Sequence, residues 1–180
     1  MIDEKGLCAC MKEAWKGAGY TVTVLPCNMA MVRVPEWAAI APMDKLPRKA
    51  LALLVEHIGA IPVEDEAYQC SKEFGAQVIV AGMEQEFYDR LERKIAETDK
   101  KAEFSRIHYN TLHMVQNPET KEVIAVSPKF VRLVETEHRQ EAYMSDEIIR
   151  WADGEEMVAI AGVEIDREAK RHLEGFKWVE

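Results

Sequence analysis

Glu135-x-Glu137-His138 is the stretch whose residue types could do chemistry. Carboxylates beside an imidazole can transfer protons as general acid and base, or they can bind a divalent metal ion. This stretch lies in a charged connector, where such side chains are usually only solvated. It supports an alternative interpretation, an enzyme of unrecognised family such as a metal-dependent hydrolase, and we assign it no catalytic residue.

The four cysteines do not have the spacing of a metal site. Cys8 and Cys10 are separated by one residue, and Cys27 and Cys70 are isolated. Zinc sites usually combine two close pairs of Cys or His ligands. We therefore expect reduced thiols, no metal and no cofactor. Cys27 follows a predicted strand and could be a nucleophile only beside a His, so we expect it to be buried or inert.

Two histidines, His108 and His113, fall in a stretch predicted to be one strand, residues 106–116. Because side chains alternate along a strand, residues five apart face opposite sides of the sheet. We therefore expect that these two imidazoles cannot bind one ion together. Tyr109, Thr111 and His113 would share one face, which we interpret as the solvent side of the sheet rather than a binding surface.

Sequence motifs of the commonest enzyme classes are missing from the chain. It contains no Gly-Lys-Ser/Thr phosphate loop, no G-x-G-x-x-G after a strand, no G-x-S-x-G and no H-E-x-x-H. These absences argue against the common nucleotide enzymes, serine hydrolases and metallopeptidases. We expect a binding protein rather than an enzyme.

Negative charge is concentrated in one part of the chain. The net charge is −9, but residues 1–59 carry six acidic and seven basic residues and are close to neutral. Residues 135–168 carry eleven acidic and three basic residues. Such a field repels nucleic acid and attracts basic surfaces, so we expect no direct binding of DNA or RNA.

An array of carboxylates can imitate the phosphates of a nucleic acid for a protein whose groove is lined with Lys and Arg. We expect the acidic segment to bind such a basic partner, which would be a nuclease or a nucleoprotein complex. The candidate partner-binding residues are Glu141, Asp146, Glu147, Asp153, Glu155 and Glu156. The oligomeric state is left open.

Apolar periodicity and turn residues predict an α+β fold of antiparallel hairpins with packed helices. Ser145, followed by two acids, is interpreted as the N-cap of a helix. The predicted helices cover residues 7–18, 47–59, 64–74, 84–103, 145–151 and the segment after Asp166. The predicted strands cover residues 20–25, 29–34, 77–81, 106–116, 122–126, 129–134 and 157–165, with 36–41 as a possible extension. We expect one domain over 1–180, with the weakest seam, where two subdomains would divide, near 135–141.

The chain begins with the acidic stretch 1–5, and no segment reaches the ~20 apolar residues that cross a bilayer. We therefore expect a cytoplasmic protein that does not enter a membrane. In size, acidity and lack of a catalytic motif it resembles the small inhibitors and accessory proteins carried by phages and mobile elements, including anti-CRISPR proteins. This resemblance of general character implies a non-enzymatic protein that docks on a basic, nucleic-acid-binding partner, such as a CRISPR nuclease, and blocks it.

Overall fold

A single antiparallel sheet of eleven strands forms the framework of the protein in a computed structural model. The structure describes residues 1–98, 100–145 and 147–175, apart from the side chains of 94–98 and 106. The strands are β1 (Tyr20–Leu25), β2 (Met29–Val34), β3 (Trp37–Pro42), β4 (Ala67–Ser71), β5 (Gly75–Val78), β6 (Lys100–Tyr109), β7 (Leu112–Gln116), β8 (Val123–Val126), β9 (Ala142–Ser145), β10 (Ile148–Asp153) and β11 (Glu156–Ala161). Their order in the sheet is β5-β4-β1-β2-β3-β11-β10-β9-β6-β7-β8.

The prediction of an α+β fold is therefore wrong, because this sheet dominates and the helices are few and mostly short. Two predicted helices are strands instead: residues 64–74 contain β4, and residues 145–151 contain the end of β9 and most of β10. In each case the segment is paired with neighbouring strands. Hydrogen bonds to neighbouring strands outweigh a weak local preference for helix.

Three predicted strands also differ from the structure. Residues 129–134 overlap a short helix, Pro128–Val131. The strand predicted at 77–81 overlaps only the end of the edge strand β5, in which Val78 is 78% exposed. Residues 106–116 form parts of two strands joined by a turn. A local sequence pattern indicates which residues can be extended, but it does not determine with which other strand they pair.

The helices cover the two faces of the sheet. Several predictions are confirmed here, including the first helix, the 47–59 helix and a last helix capped by Asp166. The α-helices are α1 (Glu4–Lys16), α2 (Arg48–Ile58), α3 (Ala81–Thr98), α4 (Pro128–Val131) and α5 (Arg167–Glu174). Helices α1 and α2 pack on β1, β4 and β5, whereas α3 contacts β1 and β9. None of the helices in the described ranges is long and apolar enough to cross a membrane.

Alternation along the central strands divides the buried residues between two cores. In β11, Val158 and Ile160 belong to the large core that also holds residues of α1 and α2, whereas Met157 and Ala159 belong to the core beneath α3. Because successive side chains point to opposite faces, a strand covered on both sides is apolar throughout. On the α3 side, Arg33 of β2 donates two hydrogen bonds to Glu84, at 2.6 and 2.7 Å.

Close approach of two backbones fixes the position of α1. A Cβ atom on Gly6 would lie 1.8 Å from the carbonyl oxygen of Arg132. Nearby, the Asp3 amide donates to the Leu133 carbonyl at 2.8 Å. Only a glycine can occupy this contact, so the first turn of α1 is held directly against the segment after α4.

His57 joins α2 to α1 and to the sheet. Its ring stacks on Trp15 of α1, with centroids 3.9 Å apart, and its Nδ1 lies 2.7 Å from the hydroxyl of Tyr20 in β1. Burial raises the pKa of Tyr20, so the phenol stays protonated and can share a hydrogen bond with the neutral imidazole. Burial lowers the pKa of His57, an effect that the nearby Glu56 charge only partly opposes.

Replacing Gly6 with Ala should destabilise the protein by about 3 kcal/mol or more, because backbone must move to admit the methyl group. Gly82→Ala in α3 is the matched control, since no atom outside the neighbouring turns of α3 lies within 4 Å of the added methyl group. This substitution should leave the free energy of unfolding unchanged or raise it by up to about 1 kcal/mol. Denaturant unfolding of both variants measures the difference. Similar stabilities for the two would contradict the contact.

Replacing His57 with Gln should cost less stability in acid than near neutral pH. The folded-state pKa of His57 lies below its unfolded value of about 6.5, so protonation penalises the folded wild type as pH falls through this region. Denaturant unfolding of wild type and variant at about pH 7.5 and pH 5 tests this. Arg48→Gln, at the start of the same helix, is the control, because it leaves the His57 imidazole in place. A penalty for His57→Gln that is equal at both pH values would overturn this account.

Candidate functional site: the acidic end of the sheet

The hairpin of β10 and β11 carries carboxylates at its turn. Asp153 pairs with Glu156 across the two strands, and Gly154 takes the positive φ of 58° that the turn needs. The side chains of Asp153 and Glu155 are each 64% exposed. This turn therefore places negative charge in solvent at one end of the sheet.

The segment before β9 brings further acids to the same end. Residues Thr136–His138 form one 3-10 turn, and His138 Nε2 lies 3.8 Å from Asp153 Oδ2. Glu141 is exposed and immediately precedes β9, whose pairing with β10 brings it beside the end of that strand. We call this surface the acidic end. It consists of Glu135, Glu137, Glu141, Asp153, Glu155 and Glu156.

Two cations of the protein itself neutralise part of this charge. The Met1 ammonium lies 2.9 Å from Glu156 and 3.1 Å from Glu135, and Lys45 lies 2.8 Å from Glu155. Burial would raise the pKa of Glu156, but hydrogen bonds from the ammonium and from the Ile2 amide outweigh it and hold that pKa below its usual range. Glu156 is thus a structural carboxylate, and only part of the acidic end is free to meet a partner.

Glu135, Glu137 and His138 could together hold a cation. One ligand atom from each lies within 4.8 Å of the others, and this set of two oxygens and one nitrogen suits a divalent metal. Glu135 is already engaged, since its Oε2 contacts the Met1 ammonium. His138 Nδ1 lies 3.5 Å from Glu135 Oε2. This nitrogen is buried and has no hydrogen-bond partner within the described part of the chain. The cluster therefore has suitable ligand types, but one carboxylate already serves another cation.

The structure separates the six predicted partner-binding residues. It gathers Glu141, Asp153, Glu155 and Glu156 at the acidic end. Glu147 immediately precedes the opposite end of β10, six residue steps or about 20 Å from Asp153. Asp146 lies outside the described residues.

Glu147 borders a groove of about 350 Å³ beneath the start of α5. The groove is also lined by Arg167 and Lys170, so its charge is mixed. The Gly162 amide donates a hydrogen bond to the Glu147 carbonyl at 2.6 Å, which fixes the backbone of Glu147. These surroundings make Glu147 a poor member of a purely acidic docking surface.

His108 and His113 are brought together, contrary to the prediction that they face opposite sides of one strand. Asn110 and Thr111 form a turn with φ values of 47° and 72°, so the two histidines lie on separate strands and are paired across the hairpin. Their Nε2 atoms are 3.1 Å apart. The predicted polar stripe is also absent from this sheet: Tyr109 packs beneath α5, and Thr111 is in the turn. A strand of eleven residues is long, and that length was the signal for a hairpin.

The cysteines are free thiols in three different settings. Cys8 and Cys10 are buried in α1, and burial raises the pKa of each. Cys70 is also buried, which raises its pKa to about 11. Thiols with raised pKa values are poor nucleophiles and poor metal ligands at neutral pH. Cys27, predicted to be buried or inert, is exposed in the turn after β1, so it is not buried and its inertness stays a prediction.

Sequence reasoning missed the two cations that neutralise part of the acidic end, the Met1 ammonium and Lys45. Both come from segments that are far away from these carboxylates in the chain. Comparisons with protein-family models, with curated proteins and with solved structures find no match.

Proposed function

We propose that this is a non-enzymatic binding protein that docks its acidic end on a basic surface of a nucleic-acid-binding protein and blocks it. The observation that carries the proposal is the convergence of four predicted carboxylates, from two separate segments, at one end of a rigid sheet. Asp153 and Glu155 extend into solvent, where they can take the place of phosphates against Lys and Arg side chains.

The contacts within the acidic end favour binding over catalysis. Glu156 and Glu135 are used to hold the Met1 ammonium. The other four carboxylates of the acidic end are exposed, and Glu155 among them pairs with Lys45. Charges on a fixed hairpin are preorganised, so little conformational entropy is lost when a partner binds. We propose that the protein acts in the cytoplasm, where thiols such as its four free cysteines stay reduced.

The enzyme alternative remains a separate prediction. It needs a metal ion at Glu135, Glu137 and His138, whose ligand atoms lie within 4.8 Å of one another. Elemental analysis of the purified protein distinguishes the two. About one metal ion per chain, lost in His138→Asn, would support the metal-dependent enzyme.

Reversing the charge of Glu141 and Asp153 to Lys should weaken binding to the partner mainly by slowing association, by roughly tenfold or more, because exposed charges steer the encounter. The partner is first captured from lysate of the source cells at low salt, released by added duplex DNA, and then purified for rate measurements. Affinity of the wild type should fall steeply as salt rises, since exposed charges are screened over about 8 Å at physiological ionic strength.

Glu64→Lys with Glu73→Lys is the matched control. Both residues are exposed and flank β4, five strand spacings from β10, or about 24 Å. This control changes the net charge by the same amount and should leave association nearly unchanged. Equal losses from both pairs would mean that only net charge matters. No loss from either pair would place the interface elsewhere and would contradict the proposal.

A further inference from the structure

The histidine pair near the tip of the β6–β7 hairpin places two potential metal ligands next to each other. His108 and His113 are cross-strand partners, with Nε2 atoms 3.1 Å apart and ring centroids 4.3 Å apart. The two Nε2 atoms are within hydrogen-bond distance of each other and the rings are inclined at 76°, so one neutral imidazole can donate to the other in the metal-free protein.

The backbone fixes this proximity. The two-residue turn at Asn110 and Thr111 makes Tyr109 and Leu112 the closing pair of the hairpin. Hydrogen-bonded and non-hydrogen-bonded pairs alternate in an antiparallel ladder, so the next pair, His108 with His113, is of the closer type, with Cα atoms about 4.5 Å apart. The two imidazoles are therefore held together by strand register rather than by side-chain choice alone.

The surroundings orient one ring and leave the other accessible. His113 is half-buried and meets the edge of Phe104, whose ring in turn stacks on Trp151 at 5.7 Å. His108 is exposed, so water and ions reach the pair. Burial, and then the charges of His108 and Arg139, lower the pKa of His113. The positive charge of Arg139 disfavours binding of a cation at the pair, whereas the net charge of −9 on the whole chain favours it.

The distance between the nitrogens suits a late first-row metal ion. Imidazole nitrogen binds zinc at about 2.0–2.1 Å. An ion at about 2.05 Å from both Nε2 atoms would subtend an angle of about 98° between them, which lies between octahedral and tetrahedral values. Zn²⁺, Ni²⁺ and Cu²⁺ all accept imidazole, and Cu²⁺ binds a given set of ligands most tightly.

We propose that His108 and His113 form a two-histidine site for a late first-row divalent cation, with water in the remaining positions. The site uses none of Glu135, Glu137 and His138, and it does not depend on the proposed binding function. Occupation would link the two strands near the turn and stabilise the folded hairpin, since the ion binds the folded arrangement.

Titration of the whole protein with Cu²⁺, followed by calorimetry and by electron paramagnetic resonance, tests the site. The wild type should bind one ion at this pair with nitrogen couplings in the spectrum. His108→Asn should weaken this binding by roughly a hundredfold, because the second ligand acts at high effective concentration. His108 is exposed, so this change should leave folding intact, and the thermal midpoint of the metal-free variant checks that it does. His113→Asn should give the same loss.

His138→Asn is the control and should leave the binding at the histidine pair unchanged. Loss of the Cu²⁺ signal in His138→Asn, with retention in His108→Asn, would assign the ion to the other cluster and overturn the proposal. Absence of saturable binding by the wild type, or binding that neither hairpin substitution weakens, would also overturn it.

Discussion

Pairing between β3 and β11 is the interaction on which the rest of the structure depends. The five N-terminal strands form one side of the sheet and the six later strands form the other, and β3 and β11 are the neighbours that join them. Their register sets Ile40 opposite Met157 and Trp37 opposite Ile160, across more than a hundred residues of chain. Closing so long a loop costs entropy. Burial of both strands on both faces offsets that cost, since all six residues of β3 are buried.

The same junction creates the acidic end. Because β11 is fixed beside β3, the β10–β11 turn comes close to Lys45, which follows β3, and Glu155 pairs with it. The first residues of the chain reach the same place through the bridge between Ile2 and Val134, which brings the Met1 ammonium to Glu135 and Glu156. The carboxylates of the acidic end would repel one another, but ion pairs with cations from distant segments of the chain offset part of that repulsion. The other acids of the acidic end are exposed to solvent.

Histidine placement shows how strongly register governs chemistry in a sheet. On one continuous strand, residues five apart lie on opposite faces. A two-residue turn between them instead makes them partners on one face, and the positive φ values at Asn110 and Thr111 show that this turn is formed. Beyond the pair, register shifts between Phe104 and His108, and Phe104 then packs between His113 and Trp151. A change in chain direction at two residues therefore decides whether two imidazoles can share an ion.

The sequence by itself determined the features that depend on a few neighbouring residues. These include α1, the β1–β2 hairpin, the helix that ends at Gly59, whose φ is 89°, and the cap of α5, where the Asp166 carboxylate accepts from two amides. It also determined the sign and uneven distribution of charge. Tertiary structure alone decided that residues 67–71 and 148–151 are strands, since their partners come from elsewhere in the sheet. It also decided which carboxylates meet at the acidic end and which histidines face each other. Local preference extends over a turn or two of chain, whereas strand register is set by burial and hydrogen bonds between segments far apart in sequence.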